Sequence, residues 1–480
     1  DIDSEGTITV TTSAVIKSTA SIATTKSIIL DLNGNSLDVT STFIENNGNL
    51  SIVDSSSDKS GCINSTASTD EVYAISNNGT LNIEEIKFNS KKAITTNGKM
   101  IVNNTIFETS AENGIKVASN GNATISNSNF TVSNTAIYNE GTTVIDNTNI
   151  TNDNKSSSTI SVGSGSLTFN GGTIISKGTG INPTGGKLTI NGGSITTDGN
   201  GIESWTRSTT PTTTINGGEI LAGGIGVNSS CYGNIIINGG KIQGTTGVYA
   251  GYNQYSVYEK TDLTITGGTI IGTTGYGAYS SPKSTLIIGK KDSNTNNDDI
   301  SITGGTYGVR TDKMGTIYGA TVKATGEQGI GIYGNVEISD IDVYGVQYGI
   351  SGYGNVKKGN ISGGLYGIYE TGDMTIGVDD ENVNKETPTV IGGSYGLYIN
   401  SGSSKVYDGT FKGQVDGYSG EISALPDSYA MIRSHETIDN NDYVIRYLDA
   451  DENYLSVDGK EYNSLTKAIN AINETGKIKL

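Results

Sequence analysis

The segment Leu-Thr-Phe-Asn-Gly-Gly-Thr-Ile at 167–174 returns, with small changes, at 188–195, 213–220, 235–242, 263–270 and 300–307. The copies align without gaps and start about 21 to 37 residues apart, the length of one supersecondary unit that cannot bury its own apolar face and must stack on its neighbours. In each copy apolar and polar residues alternate over four or five positions and then meet a Gly pair. That pattern reads as a short strand ending in a tight turn.

The period runs beyond these copies. Related segments stand at 81–88, 100–107, 123–130 and 143–150, and again at 316–324, 336–345, 355–364 and 405–413. A second short strand, led by Gly or Ala, lies between successive copies, as at 74–79, 93–98, 114–121, 136–141, 180–186, 201–205, 224–230 and 247–252. Two or three short strands per turn of roughly 20 residues is the arithmetic of a parallel β-helix; neither leucine-rich spacing nor a helix-containing repeat is visible. The expected fold is therefore all-β. A parallel, right-handed β-helix solenoid of about 18 to 20 coils fills residues 1–425, about 90 Å long at about 4.8 Å per coil.

Composition agrees with this reading. Gly supplies 67 of 480 residues, and Ile and Val recur at fixed positions, which separates the chain from disordered low-complexity sequence. There are only five Pro, as expected where most backbone N–H groups pair with the coil below.

Within the repeat, Asn170, Asn191, Asn216 and Asn238 share one register, followed by Thr266 and Thr303. Their side chains are expected to form a hydrogen-bonded ladder at a corner, and the Gly pair after each suits a turn needing positive φ. Tyrosine is unevenly placed: of 26 copies only Tyr73 and Tyr138 precede Tyr232. The Gly-x-Tyr-Gly contexts predict one aromatic column of Tyr307, Tyr344, Tyr366 and Tyr395 and a second of Tyr348, Tyr369 and Tyr398. Packing is the expected role of these columns, with a sugar-stacking surface as its rival.

Loops on a rigid scaffold are where recognition is sought. Three lengthened corners, 203–212, 228–234 and 250–262, bring Trp205 (the one Trp), Arg207, Tyr232, Tyr252, Tyr255 and Tyr258 into one neighbourhood, a candidate glycan platform against the plainer reading of edge cover. Two related insertions, 287–305 and 375–393, carry Asp292, Asp298, Asp299, Asp379, Asp380 and Glu381. Calcium is conceivable there, but no EF-hand spacing is present and solvated acidic loops are the expectation, so no metal and no cofactor is assigned.

Catalytic patterns are missing. The single His435 lies outside the coil region, and paired acids such as Asp298 and Asp299 sit in a polar insertion, where no strand fixes their geometry. No nucleophile elbow, phosphate loop or Cys/His metal cluster occurs, so no enzymatic activity is expected, with polysaccharide lyase or hydrolase as the remote alternative suggested by the fold class. A net charge of −18 disfavours nucleic acid and anionic lipid as partners. No apolar run approaches the ~20 residues of a membrane span. Cys62 and Cys231 stand about seven or eight coils apart, roughly 35 Å, too far for an internal disulfide. The chain begins at Asp1 without a signal peptide and reads as a mature form or an excerpt.

After residue 425 the pattern changes. Residues 426–456 are expected to form a small β element of hairpin type. In 457–480, Ser464 is a good N-cap, and Leu465, Ala468, Ile469 and Ile472 follow helical spacing. The last nine residues, 472–480, match 2–10, with Gly476 on Gly6, Ile478 on Ile8 and Leu480 on Val10. The short helix and the strand after it are therefore expected to cap the first coil of a further module, in tandem or in trans.

The segments 24–39 (TTKSIILDLNGNSLDV), 388–396 (PTVIGGSYG) and 405–413 (KVYDGTFKG) resemble the repetitive parallel β-helix regions of large secreted Firmicutes cell-surface proteins. The resemblance implies an extracellular, wall-associated or fibrous adhesin-like role and carries over no catalytic residue. Two functions follow as expectations. One is a structural module, itself its own partner head-to-tail in a surface fibre or stalk. The other is an adhesin that binds cell-surface or extracellular glycan through the loops around Trp205.

Overall fold

The computed structural model describes residues 4–65, 72–109, 113–251, 260–290, 299–380, 383–427, 429–450, 455–457, 460–462, 469 and 478–479. The chain divides into two compact units, Asp1–Thr273 with Ala278–Thr285 and Thr274–Gly277 with Leu286–Leu480. The fold is an all-β parallel solenoid of about 18 turns.

In the first unit each strand pairs in parallel with the third strand after it, so three strands make one coil. Asn122–Ser126, Asn129–Val132 and Thr135–Asn139 form one coil, and Thr142–Asp146, Thr148–Asn152 and Ser158–Val162 stack on them. Pairing runs residue for residue, so the two-residue alternation places the same column of side chains inward in every coil. Phe88, Phe107 and Phe130 stack inside the second sheet at ring separations of 5.1 and 4.4 Å, and Ile150, Ile174 and Ile195 extend their column. Each buried side chain of this size stabilises the fold by about 1.5–3 kcal/mol.

Two different turns build the corner after the first strand of each coil. Glu85, Asn104, Asn127 and Asn147 take positive φ at the first turn position. From Gly172 onward the second position does so instead, at Gly172, Gly193, Gly218, Gly240 and Gly268, with φ between 82° and 104°. Asn tolerates the left-handed region, whereas the larger φ values suit Gly alone. The change from Asp-Asn and Ser-Asn to Asn-Gly-Gly in the sequence marks the switch.

Side-chain amides inside the third sheet of the first unit are paired. Asn46 and Asn77 are buried in the third sheet; Asn46 donates to Asn77 Oδ1 at 2.7 Å and to the Thr80 carbonyl at 2.9 Å, and Asn77 donates to Thr96 Oγ1 at 2.9 Å. A second device holds the corner loop 54–61. Burial pushes the Asp54 carboxyl up, but N–H groups of Gly61, Ser56 and Gly34 donate to it at 2.5, 3.0 and 2.7 Å and bring it below its ordinary value.

The second unit has longer strands that run through corners without a break, such as Tyr307–Ala324 and Ile330–Gly345. Its tyrosine columns differ from the expected ones. Tyr307, Ile330, Tyr348, Tyr366 and Tyr395 share one register, and Arg310, Tyr333, Ser351, Tyr369 and Tyr398 the next outward one. Tyr344 belongs to a different sheet, paired with Lys323 and Ser362. The cause is the corner at Val346–Gln347, which sets Tyr348, not Tyr344, at the strand start that Tyr307 occupies.

The solenoid of this unit ends on a hairpin, Tyr429–Ile438 and Asn441–Ala450, whose second strand pairs antiparallel with Thr410–Gly413. An antiparallel strand covers the edge that a further parallel coil would need. Arg446 fixes it, with Nε and Nη2 donating to the two carboxylate oxygens of Asp416 at 2.6 and 2.8 Å. Beyond it, Leu455–Val457, Lys460–Tyr462 and Ile478–Lys479 form a small antiparallel sheet. The strand expected to cap a further module thus pairs within its own chain. Of the expected helix at 464–473 only Ile469 is described, and it is exposed; Leu465, Ala468 and Ile472 lie outside the described residues.

Candidate functional site

Ile8 lies in the same column as Leu30, Ile52 and Ile83, one above another in register. Leu30, Ile52 and Ile83 are buried, yet Ile8 is 47% exposed. The difference is position: Ile8 belongs to the first coil, and the strand Glu5–Thr9 pairs with Ser27–Asp31 on one side, with no partner on the other among the described residues. The inward side chains of this coil consequently face outward along the column. Ile8, Val10, Ile16, Ile22, Leu30 and Phe43 are among the residues that line a cavity of about 580 Å³, with Lys26 its one charged lining residue. A large apolar concavity beside an unpaired strand edge is a docking surface in physical terms, for apolar side chains and for a backbone strand.

The corner amides form a continuous chain of donated hydrogen bonds. Asn170 donates to Asp146 at 2.6 Å; Asn191 donates to Asn170, Asn216 to Asn191 and Asn238 to Asn216, each at 2.8 Å; Thr266 Oγ1 donates to Asn238 at 2.8 Å. All bonds point the same way and terminate on the Asp146 carboxylate. Each amide spends one donor and its acceptor on its neighbours, which leaves the second N–H of each to the solvent.

Among the loop residues, Trp205 is 63% exposed, with the Arg207 guanidinium 5.7 Å from its ring centre. Tyr232 is half-buried, and its N–H is donated to the Thr206 carbonyl at 3.3 Å. Tyr252, Tyr255 and Tyr258 lie outside the described residues. Trp205 and Tyr232 therefore belong to neighbouring loops, which are also tied by backbone bonds from Ser230 N–H to the Ser204 carbonyl and from Asn234 N–H to the Pro211 carbonyl.

The tyrosine columns of the second unit are half-buried on the outer face of their sheet. Tyr348 and Tyr366 stack at 5.5 Å and 2°, and Tyr366 and Tyr398 at 4.5 Å and 13°. Ring faces thus cover ring faces, and the rims and hydroxyls meet the solvent, which serves packing better than sugar stacking. Burial raises the hydroxyl pKa of Tyr348 and of Tyr366. Arg310 sits 5.4 to 5.9 Å from the ring centres of Tyr276, Tyr307 and Tyr333 and pairs with Asp312 at 3.0 Å.

Of the insertion carboxylates, Asp299, Asp379 and Asp380 are described, and Asp292, Asp298 and Glu381 lie outside the described residues. Among the described residues no group of three or more His, Cys, Asp or Glu side chains is arranged to hold a metal ion. The loop after Ile376 is instead held by the buried Asp408, which accepts from the N–H groups of Val378 and Asn384 at 2.7 and 2.5 Å. No helix among the described residues is long and apolar enough to cross a membrane.

No family model matches this chain, and no curated protein matches it. Among solved structures it is similar to the catalytic unit of a thermostable GH87 alpha-1,3-glucanase from Streptomyces thermodiastaticus strain HF3-3. Identity is 10% and the TM-score 0.28, over 69% of this chain and 60% of that one. The chain thus spans about 60% of the length of that structure. The expectation that the chain is no enzyme is withdrawn on this finding, because a catalytic unit stands among the structures it is similar to. At that TM-score the likeness assigns no activity and no residue. Of the resemblance to Firmicutes surface proteins, the parallel solenoid repeat is what stands.

Proposed function

We propose that the chain is a structural module of an extracellular fibre or stalk, joined head-to-tail to further modules through the first coil. The observation that carries this reading is the exposed Ile8 over the buried column of Leu30 and Ile52, at the mouth of an apolar cavity of about 580 Å³. The occupant is the segment 464–473 of another module, whose Leu465, Ala468, Ile469 and Ile472 are spaced to form one apolar helix face. The exposed Ile469 and the match of 472–480 to 2–10 support that choice. Ile478 stays in its own three-stranded sheet, so the contact is assigned to the apolar residues of 464–473 and not to the strand.

The hairpin that closes the solenoid of the second unit is unlike the open first coil of the first, and unlike surfaces join by a heterologous contact that does not close. The partner segment comes from the preceding module of a longer chain or from a second copy; the contact is the same. Deletion of 457–480 tests it. Loss of end-to-end assemblies in negative-stain microscopy is the expected result, and assemblies identical to those of the whole chain overturn the reading.

A second reading rests on Trp205, a large exposed aromatic beside Arg207 on a protruding loop. It makes the module a glycan-binding adhesin, and a glycan array with a Trp205→Ala control decides it. Binding that the substitution abolishes supports this reading; no binding, or binding indifferent to the substitution, removes it.

A further inference from the structure

Glu370 lies inside the second unit with 0% of its surface exposed. It occupies the strand Tyr366–Ile376, over Gly352 of the coil before and under Ile399 of the coil after. Ser404 Oγ donates to its Oε2, and its Oε1 is buried with no hydrogen-bond partner among the described residues. Among the described residues no cation pairs with it. Asp373, the charged group that acts on it among them, is also an acid, and Lys405 of the following coil is exposed on the other face of its strand. Gly352 contributes no polar side chain, and Ile399, Met374 and Ile376 are apolar.

An ionised carboxylate in this setting lacks both a counter-charge and a full set of donors, and such groups take up a proton instead. We propose that Glu370 is carried in the core as the neutral acid and that its ionisation loosens the coils between it and the C-terminal hairpin. The inference is independent of how modules join. Burial raises the Glu370 pKa, with the Ser404 bond opposing and Asp373 adding to the rise. The folded state therefore keeps a proton that the unfolded chain releases above about pH 4.3. Stability falls as pH climbs from there to the folded value, and is level above it. Each unit of rise multiplies the opening equilibrium about tenfold.

The device makes residues 395–424 the part of the unit that opens first in neutral to alkaline solution, by a local equilibrium rather than global unfolding. Amide exchange of these residues in the full chain, compared with Glu370→Gln at the same pH, reads it directly. The expected ratio of protection, variant over wild type, is near one at pH 4 and rises to at least about tenfold by pH 8.5. A ratio that is flat across that range overturns the proposal. If the variant fails to fold, infrared spectroscopy of the wild type with labelled Glu carries the test. A protonated, buried Glu carbonyl band that persists to higher pH in the folded protein than in the denatured chain sustains the proposal, and a band lost at the same pH in both overturns it.

Discussion

Asn191 donates its side-chain amide to Oδ1 of Asn170, 2.8 Å away and one coil below. Because Asn216 donates to Asn191 in turn, and the chain of donors ends on Asp146, the amides share one orientation. An Asp at 191 keeps the acceptor for Asn216 and loses the donor to Asn170, so two acceptors then face each other. Asn191→Asp is expected to destabilise the first unit by about 1 kcal/mol at pH 7. The penalty shrinks below about pH 4, where the acid regains a proton to donate. Denaturant unfolding of both proteins at pH 7 and pH 3.5 checks this, and an equal penalty at both values contradicts the ladder account.

The two corner turns predict unequal responses to substitution. Gly218 has φ +86°, and a Cβ there would stand 2.8 Å from the Gly193 carbonyl oxygen. Gly218→Ala is expected to cost about 1–3 kcal/mol. Asn127→Gly keeps the positive φ without strain and forfeits only the exposed amide bonds to Asn103 and from Asn147, so a smaller loss is expected. Thermal midpoints of the two variants against the wild type make the comparison.

Inside the second sheet, Phe107 is stacked between Phe88 and Phe130 and fully buried. Phe107→Ala leaves a cavity bounded by two rings that cannot both close on it, and an expected loss of about 3–5 kcal/mol. Phe107→Leu retains most of the volume and should recover more than half of that loss in the same denaturant assay.

How much of this was legible in the sequence depends on which period carried it. The inward columns were, because Leu167, Leu188 and Ile235 recur with the coil and alternate with polar residues. The tyrosine register was not, since Tyr344 and Tyr348 flank a corner and only the position of that corner decides which one stacks on Tyr366. The buried Asn46–Asn77–Thr96 series was also missed. Polar residues at a strand end look like turn chemistry, and only the stacking shows that they donate inward. Asp54 and Asp408 escaped notice for a similar reason, as each is one acid among many until its loop folds over it. The mouth of the first coil was legible in part, through the match of 472–480 to 2–10. The exposure of Ile8 came from the structure.

The terminal hairpin carries a pH dependence. The paired guanidinium of Arg446 holds the Asp416 carboxyl below its ordinary value, against the opposing effect of burial. Its contribution is present above about pH 3.9 and is lost as the pH falls through the lower folded value. Asp416→Asn is expected to loosen the hairpin by about 1.5–3 kcal/mol at pH 7 and to make little difference near pH 2. Amide exchange of 441–449 at neutral pH, and circular dichroism of the two proteins in acid, measure the two limits.

The most direct test of head-to-tail joining is sedimentation of two variants alone and together. Ile8→Asp spoils the mouth and leaves the C-terminal segment intact; Ile469→Asp does the reverse. The wild type should associate with rising concentration, and each variant alone should sediment as a monomer with native circular dichroism. An equimolar mixture, with one good mouth and one good segment, should form a dimer and nothing larger. A wild type that stays monomeric at every concentration, or a mixture that does not pair, contradicts the account.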